Sequence, residues 1–146
     1  MGTSQRTATE YAVFNGTTTG IANWNSSPVF CDDFRNAILE FTAIAGSTLT
    51  IKIKWSNFSR VDTQTTAENI PNFASADSVT NPWSYMQGIN LADGSLIAGT
   101  TGFTYTASAG TNKIEVNANQ VRWLGVEIAG LSAGGIKAKW TLSDNR

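Results

Sequence analysis

The sequence predicts an all-β protein: an antiparallel β-sandwich, with the jelly roll as the preferred architecture and an N-terminal arm. Three observations lead to this fold class. Apolar and polar residues alternate along several short stretches, turn-forming residues recur between these stretches, and no segment shows helical periodicity. About eight short strands separated by frequent turns are typical of two packed sheets.

Residues 48–55 give the clearest strand signal. Every second side chain from Leu49 to Trp55 is apolar and the intervening ones are polar, which indicates one buried and one solvated face. The apolar segment 37–43 precedes this strand across a short connection that contains Gly46-Ser47. We therefore expect the two segments to form an antiparallel hairpin.

The second half of the chain contains further strand signals. The turn-forming pair Asp93-Gly94 predicts a hairpin between the two segments that flank it. A final hairpin is expected across the turn at 133–135. The predicted strands of this half are 83–91, 95–97, 103–106, 113–117, 121–128 and 136–142.

A length of 146 residues fits one domain with a core of its own. Residues 1–35 differ in character from the rest and are interpreted as an N-terminal arm with the first short strands, at 11–14 and 21–24. Residues 36–146 form the sandwich. An arm lying along a neighbouring subunit and a flexible tail both fit the polar beginning of the chain.

Charge and hydropathy exclude several classes of partner. Ten basic and eleven acidic residues give a net charge of −1, whereas nucleic-acid binding requires clustered Lys and Arg. No apolar run has the roughly 20 residues that span a bilayer, and the N-terminus lacks the features of a signal peptide. We expect a protein made in a cytoplasm that binds neither nucleic acid nor membrane.

The residue types that most often carry catalysis are scarce. Histidine is absent and Cys31 is the single cysteine, which we expect to be a small buried apolar residue. The acidic pair Asp32-Asp33 fits a turn better than a calcium site. Three glutamates, Glu40, Glu115 and Glu127, lie in predicted strands, where we expect them on the solvated outer face. The alternative is that two of them form a carboxylate pair for glycoside hydrolysis. The sequence therefore predicts neither enzymatic activity, nor a metal, nor a cofactor.

Segment 121–128 is apolar on both faces, so we expect it to be covered on both sides. The cover is either a loop of the same chain or a second subunit. With a second subunit as the cover, the candidate interface residues are Trp24, Val121 and Trp123. Low charge density favours such an interface because few ions lose their hydration.

Residues 56–82 form a long polar loop, a feature that is often functional. Phe58, Ile70 and Phe73 are expected to hold this loop against the body. Trp83 and Tyr85 beside it are the candidate residues of a glycan-binding site, since aromatic faces stack on sugars. Trp55 and Trp140, by contrast, continue buried registers and are expected in the core.

Two strands carry pairs of outward lysines. Their preferred interpretation is protection of sheet edges against aggregation. The alternative is ion pairing with Glu115, Glu127 or acidic residues of a neighbour. The lysines are Lys52, Lys54, Lys137 and Lys139.

Three stretches carry a family resemblance: Leu49-Thr-Ile-Lys-Ile-Lys-Trp-Ser-Asn57, Ala76-Asp-Ser-Val-Thr-Asn-Pro-Trp-Ser-Tyr-Met-Gln87 and Ile114-Glu-Val-Asn-Ala-Asn-Gln-Val-Arg-Trp-Leu124. Over residues 36–142 the chain resembles small accessory virion proteins of tailed phages. The strand order also resembles the discoidin-like jelly rolls of carbohydrate-binding modules. The first 35 residues lie outside the resemblance.

The resemblance to phage proteins implies a capsid decoration or other accessory role in the virion, and it assigns no catalytic residues. The implied partners are further copies of the chain, as a trimer or another homo-oligomer, and phage capsid or tail proteins. The alternative function is a module that binds carbohydrate or another component of the host surface.

Overall fold

The computed structural model describes residues 9–16, 23–32, 34–43, 48–58, 70–106, 110–130 and 136–144. These residues form two sheets with exclusively antiparallel pairing and no helix. The first sheet has the order β1 (Thr9–Gly16), β12 (Ile136–Ser143), β4 (Asn36–Ala43), β10 (Gly110–Asn117), β7 (Gly88–Asn90), β8 (Leu96–Ile97). The second has the order β2 (Asn23–Asn25), β11 (Trp123–Ala129), β5 (Thr48–Ser56), β6 (Ser84–Met86), with β3 (Val29–Phe30) also paired to β11 and β9 (Phe103–Thr106) to β5. The predicted all-β sandwich is confirmed, and the strand order is compatible with a jelly roll.

The core lies between the two sheets and follows from the alternation along their strands. In β5 the side chains from Leu49 to Ile53 alternate between buried and partly exposed positions, as predicted. Trp140 of β12 is fully buried, which confirms its predicted place in the core. Phe41 of β4 contacts the rings of Phe103 and Tyr105 of β9 edge-on across the interior, at centroid distances of 5.7 and 6.1 Å. Each such side chain stabilises the fold by about 1.5–3 kcal/mol through burial.

Two predicted hairpins are wrong. β4 and β5 follow each other in sequence but lie in different sheets, and the same holds for β11 and β12. Instead, β4 pairs with β10 and β12, while β11 pairs with β5. A short connection between two alternating segments is equally compatible with a hairpin and with a crossing between facing sheets, so the pattern did not distinguish them.

Segment 83–91, predicted as one strand, divides into β6 and β7. β6 pairs with β5 in the second sheet and β7 pairs with β10 in the first, with Gln87 between them. The hairpin predicted after it is confirmed as β7–β8. Its turn contains Gly94 with φ of +75°, a conformation that glycine adopts at little cost. Hydrogen bonds from Ser95 lower the pKa of Asp93 in the same turn.

Strands from the first 35 residues belong to both sheets. β1 pairs with β12 from Thr9 opposite Leu142 to Gly16 opposite Ile136. β2 and β3 pair with β11. The first short strands are therefore present, β1 over 11–14 and β2 overlapping the end of 21–24, while residues 1–8 and 21–22 lie outside the described part. An arm that contacts a neighbouring subunit stays a prediction.

Cys31 is fully buried in the core, which confirms the sequence-based expectation. Its Sγ lies 3.3 Å from the carbonyl oxygen of Val121, to which it donates a weak hydrogen bond. Burial, together with the negative charge of Asp32, raises the pKa of the thiol to about 12. The thiol is therefore neutral at physiological pH and poorly nucleophilic.

We predict that iodoacetamide does not modify Cys31 in the folded protein at pH 8. Alkylation is slow because the thiol is not ionised and because the reagent cannot reach the buried sulfur. Mass spectrometry should show full alkylation in urea and almost none in buffer over the same time. Rapid alkylation of the native protein would contradict the buried placement.

Candidate functional site

The outer face of the second sheet carries a buried lysine. Strand alternation directs Lys54 away from the core, yet the residue is only 3% exposed. Its Nζ donates to Asn25 Oδ1 at 2.9 Å and to the Phe73 carbonyl oxygen at 2.7 Å, and it forms an ion pair with Glu127 Oε2 at 2.9 Å. All three ammonium protons thus have a partner, which is the condition for burying this charge.

Two aromatic rings cover the lysine. Nζ of Lys54 lies 4.0 Å from the ring centroid of Trp83 and 5.6 Å from that of Tyr85. The two rings meet edge-on at 5.2 Å, and the Tyr85 hydroxyl donates to Glu127 Oε2 at 3.0 Å. An ammonium over an indole face gains cation–π attraction, which is largest where water is excluded. We call Lys54, Glu127, Trp83, Tyr85 and Asn25 the lysine cluster.

The cluster determines the protonation of its acidic members. Burial opposes ionisation of Glu127, but the hydrogen bond and charge of Lys54, the Tyr85 hydroxyl and the charge of Lys52 outweigh it, so the pKa of Glu127 lies below its ordinary value. Burial, the hydrogen bond to Glu127 and the charge of that carboxylate raise the pKa of Tyr85. At neutral pH the Glu127 side chain is therefore a carboxylate and the Tyr85 side chain a neutral phenol.

The segment 70–83 covers the outer face of β11. Phe73 of this segment is 1% exposed and lies against Gly125 of β11. A Cβ at residue 125 would overlap the Phe73 ring, so only glycine permits this contact. The sequence left open whether a loop or a second subunit covers the outer face of segment 121–128. In the structure a loop of the same chain lies there. Phe73 holds the loop as predicted, whereas Ile70 is 46% exposed and does not.

A groove of about 510 Å³ opens where β5 ends and β6 begins. We call it the end groove. The described residues of its lining include two indole rings and a single charged side chain, the carboxylate of Asp77. The lining residues used below are Trp55, Asn57, Phe58, Asp77, Trp83 and Ser84.

Hydrogen bonds fix the walls of the end groove. Trp83 Nε1 donates to the Ser75 carbonyl oxygen at 2.9 Å, and the Trp83 N–H donates to Asp77 Oδ1 at 3.0 Å. On the other side, the Asn57 amide donates to the Gln120 carbonyl oxygen and accepts from the Arg122 N–H, both at 2.8 Å. The groove is therefore formed before any ligand arrives.

A second groove of about 550 Å³ lies on the outer face of the first sheet. Arg35 and Glu115 give it charges of both signs, and Gln87 adds an amide. Ile89 and Leu96 of the β7–β8 hairpin add an apolar rim, 37% and 68% exposed. We call it the side groove.

The candidate interface residues lie on or beside β11. Trp24 of β2 is half-buried and opposite Ile128, and Val121 is only 5% exposed within the core of its own chain. Trp123 is half-buried, meets the Phe30 ring edge-on at 5.2 Å and donates from Nε1 to the Phe58 carbonyl oxygen. A role in subunit contacts stays a prediction for all three.

The two candidate glycan-binding residues are brought together in the lysine cluster. Trp83 lines the end groove, whereas Tyr85 does not. The groove also contains Trp55, which packs against the core as expected but stays partly exposed at the end of β5. The sequence gives little indication that Trp55 lines a groove, because this residue continues the buried alternation of β5. Only its position at the end of the strand distinguishes it from the buried residues before it.

Edge protection is the wrong interpretation of the outward lysines. β5 and β12 both have neighbours on each side, so neither is an edge strand. The alternative, ion pairing, is confirmed for Lys54 with Glu127. On the first sheet Glu40 pairs with Lys139 at 3.8 Å and with Lys113 at 3.5 Å.

No protein-family model matches this chain, and no curated protein matches it in sequence. A solved structure, the crystal structure of SPBc2 prophage-derived protein YomS, is similar in fold with a TM-score of 0.62. The similarity covers 98% of this chain and 97% of that one, at 12% sequence identity. The chain therefore shares the fold of that protein.

Within the described residues, no helix has the length and apolar character needed to cross a membrane. The same residues contain no group of three or more Asp, Glu, Cys or His side chains placed to hold a metal ion. The Asp32 carboxylate lies 3.6 Å from an Arg122 nitrogen, while Asp33 lies outside the described part.

Proposed function

We propose that this chain is an accessory structural protein of a tailed-phage particle, a capsid decoration protein that acts through surface contacts and not through catalysis. The observation that carries the proposal is the fold shared along almost the whole chain with a prophage-derived protein. The resemblance of residues 36–142 to small virion proteins supports it independently. The protein would be made in the host cytoplasm and act in the virion.

The contacts are proposed to be homo-oligomeric, with a trimer as one arrangement, and to include capsid or tail proteins. Phe30, 43% exposed and in ring contact with Trp123, offers an aromatic anchor on the outer face of β11, while Trp24 lies opposite Ile128 at the other end of the strand and packs against the core. Aromatic anchors dominate the energetics of many protein interfaces. The side chain of Val121 is buried, so this residue would pack beneath the contact surface and would not touch a partner directly.

Mass spectrometry of purified particles of the encoding phage tests the virion role. The expected result is a stoichiometric presence of the protein, in a copy number that matches capsid or tail symmetry. Its absence from intact particles, with abundant protein in the lysate, would refute the proposal.

We predict that Phe30→Ser weakens self-association by about 2 kcal/mol, roughly 30-fold, because it removes an aromatic anchor. Light scattering coupled to size exclusion measures the molar mass across a dilution series. Val79→Ser is the matched control, since Val79 is 97% exposed and lies on the loop. If both variants and the wild type dissociate over the same concentration range, Phe30 is not part of the interface.

A further inference from the structure

The end groove has the chemistry of a small-ligand site. Trp55 and Trp83 line it together, Phe58 adds a third aromatic ring, and hydrogen bonds to Ser75 and Asp77 fix Trp83 in place. Ligand sites are concave, largely preformed and lined by aromatic side chains with a few oriented polar groups. The end groove meets each of these criteria.

Three polar groups of the groove have no partner among the described residues. Asp77 uses Oδ1 for the Trp83 N–H, which leaves Oδ2 as an acceptor. Trp55 offers its indole N–H as a donor, and the Ser84 hydroxyl offers both functions. By contrast, the Asn57 amide is engaged at both ends. The open groups suit a ligand with several hydroxyls, each of which donates and accepts.

The charges of the described lining residues oppose an anionic ligand and make one of the two indoles a poor partner for a cation. Among the described lining residues Asp77 is the single charged one, so an anion would meet its carboxylate without a cation of that lining to offset it. A cation would pair with the Asp77 carboxylate, but the indole of Trp83 would add little, because the Lys54 ammonium already lies 4.0 Å from that ring centroid. A second positive charge at the same indole is opposed by the first.

We infer that the end groove binds a neutral saccharide, with the apolar C–H face of a sugar ring packed on the indoles and its hydroxyls bonded to Asp77, Ser84 and the Trp55 N–H. The negative faces of aromatic rings attract the weakly positive C–H hydrogens. This inference goes beyond the proposed virion role and does not depend on it, because the groove belongs to the single chain.

Intrinsic tryptophan fluorescence of the full chain tests the inference, since two of the five tryptophans line the groove. The probes are neutral oligosaccharides built from glucose, galactose, mannose and N-acetylglucosamine, with choline and a sialylated oligosaccharide as the cationic and anionic comparisons. We expect saturable binding of at least one neutral probe and weaker or no binding of the charged ones. Preferential binding of choline or of the sialylated probe would overturn the inference, as would the failure of all neutral probes at millimolar concentration.

Variants assign the binding to the groove. Asp77→Asn keeps the shape of the side chain but removes the charge, and it should weaken binding about tenfold or more, as expected for a hydrogen bond to a charged acceptor. Glu115→Gln makes the same chemical change in the side groove and should leave affinity unchanged. Equal affinity of Asp77→Asn and the wild type would overturn the placement. Circular dichroism confirms that both variants fold, and isothermal titration confirms the affinities.

Discussion

Replacing Glu127 by leucine should destabilise the protein by about 3 kcal/mol, because the Lys54 ammonium would stay buried without its counter-ion. The two side chains are 15% and 4% exposed, so water offers little compensation. The free energy of unfolding follows from urea denaturation monitored by circular dichroism. Glu40→Leu is the control: it breaks two more exposed ion pairs on the first sheet and should cost at most about 1 kcal/mol.

The double variant Lys54→Met/Glu127→Leu gives the sharper form of this prediction. Removing both charges should cost less than Glu127→Leu alone, since no unpaired ion remains in the loop–sheet contact. If the costs of the two single variants simply add, the two residues are not energetically coupled. That outcome would contradict the cluster as described.

The pH dependence of stability has a definite sign. The pKa of Glu127 is lower in the folded state, so the unfolded state binds its proton more readily and stability rises with pH. This contribution is complete above the ordinary pKa near 4.5 and is lost as pH falls through the folded-state value. The unfolding free energy of Glu127→Leu should therefore vary less over the acid range than that of the wild type.

Replacing Phe73 by alanine should cost about 3 kcal/mol or more, within the range of large-to-small changes at buried phenylalanines. The ring fills the space above Gly125, and its loss would leave a cavity between the loop and β11. Ile70→Ala, in the same loop but half exposed, should change stability by less than about 0.5 kcal/mol. The measurement is again urea denaturation, and comparable costs for both variants would contradict the anchoring role of Phe73.

Gly125 supplies an independent check on the same contact. Gly125→Ala should destabilise the wild type by about 1–3 kcal/mol, because the new methyl group overlaps the Phe73 ring. In the Phe73→Ala background the same substitution should cost far less. Additive effects would show that the clash is not with Phe73.

Local patterns predicted the strands well and their partners poorly. The alternation from Leu49 to Ile53 identified β5 and its buried face, because burial of alternate side chains depends on the strand alone. The hairpins at β4–β5 and β11–β12 failed because strand pairing depends on where the connection crosses between sheets. Only for β7–β8 did the turn residues themselves specify the hairpin.

The candidate site shows the same limit. The two predicted glycan-binding residues, Trp83 and Tyr85, lie together in the lysine cluster, whereas the alternation of β5 predicts a solvated position for Lys54, which is buried. Its burial depends on Phe73 and Asn25, which approach from other parts of the chain. A sequence pattern describes which way a side chain points from its own strand, and it contains no information about a loop that covers it from outside.

The pairing of β1 with β12 has a consequence for synthesis on the ribosome. Between Gly16 and Ile136 the ribosome must add about 120 residues, which takes roughly 6–24 s at 5–20 residues per second. During this interval β1 has no partner, and unpaired strand edges are the surfaces through which nascent chains aggregate. The first sheet is therefore completed only after β12 has been synthesised and enters between β1 and β4.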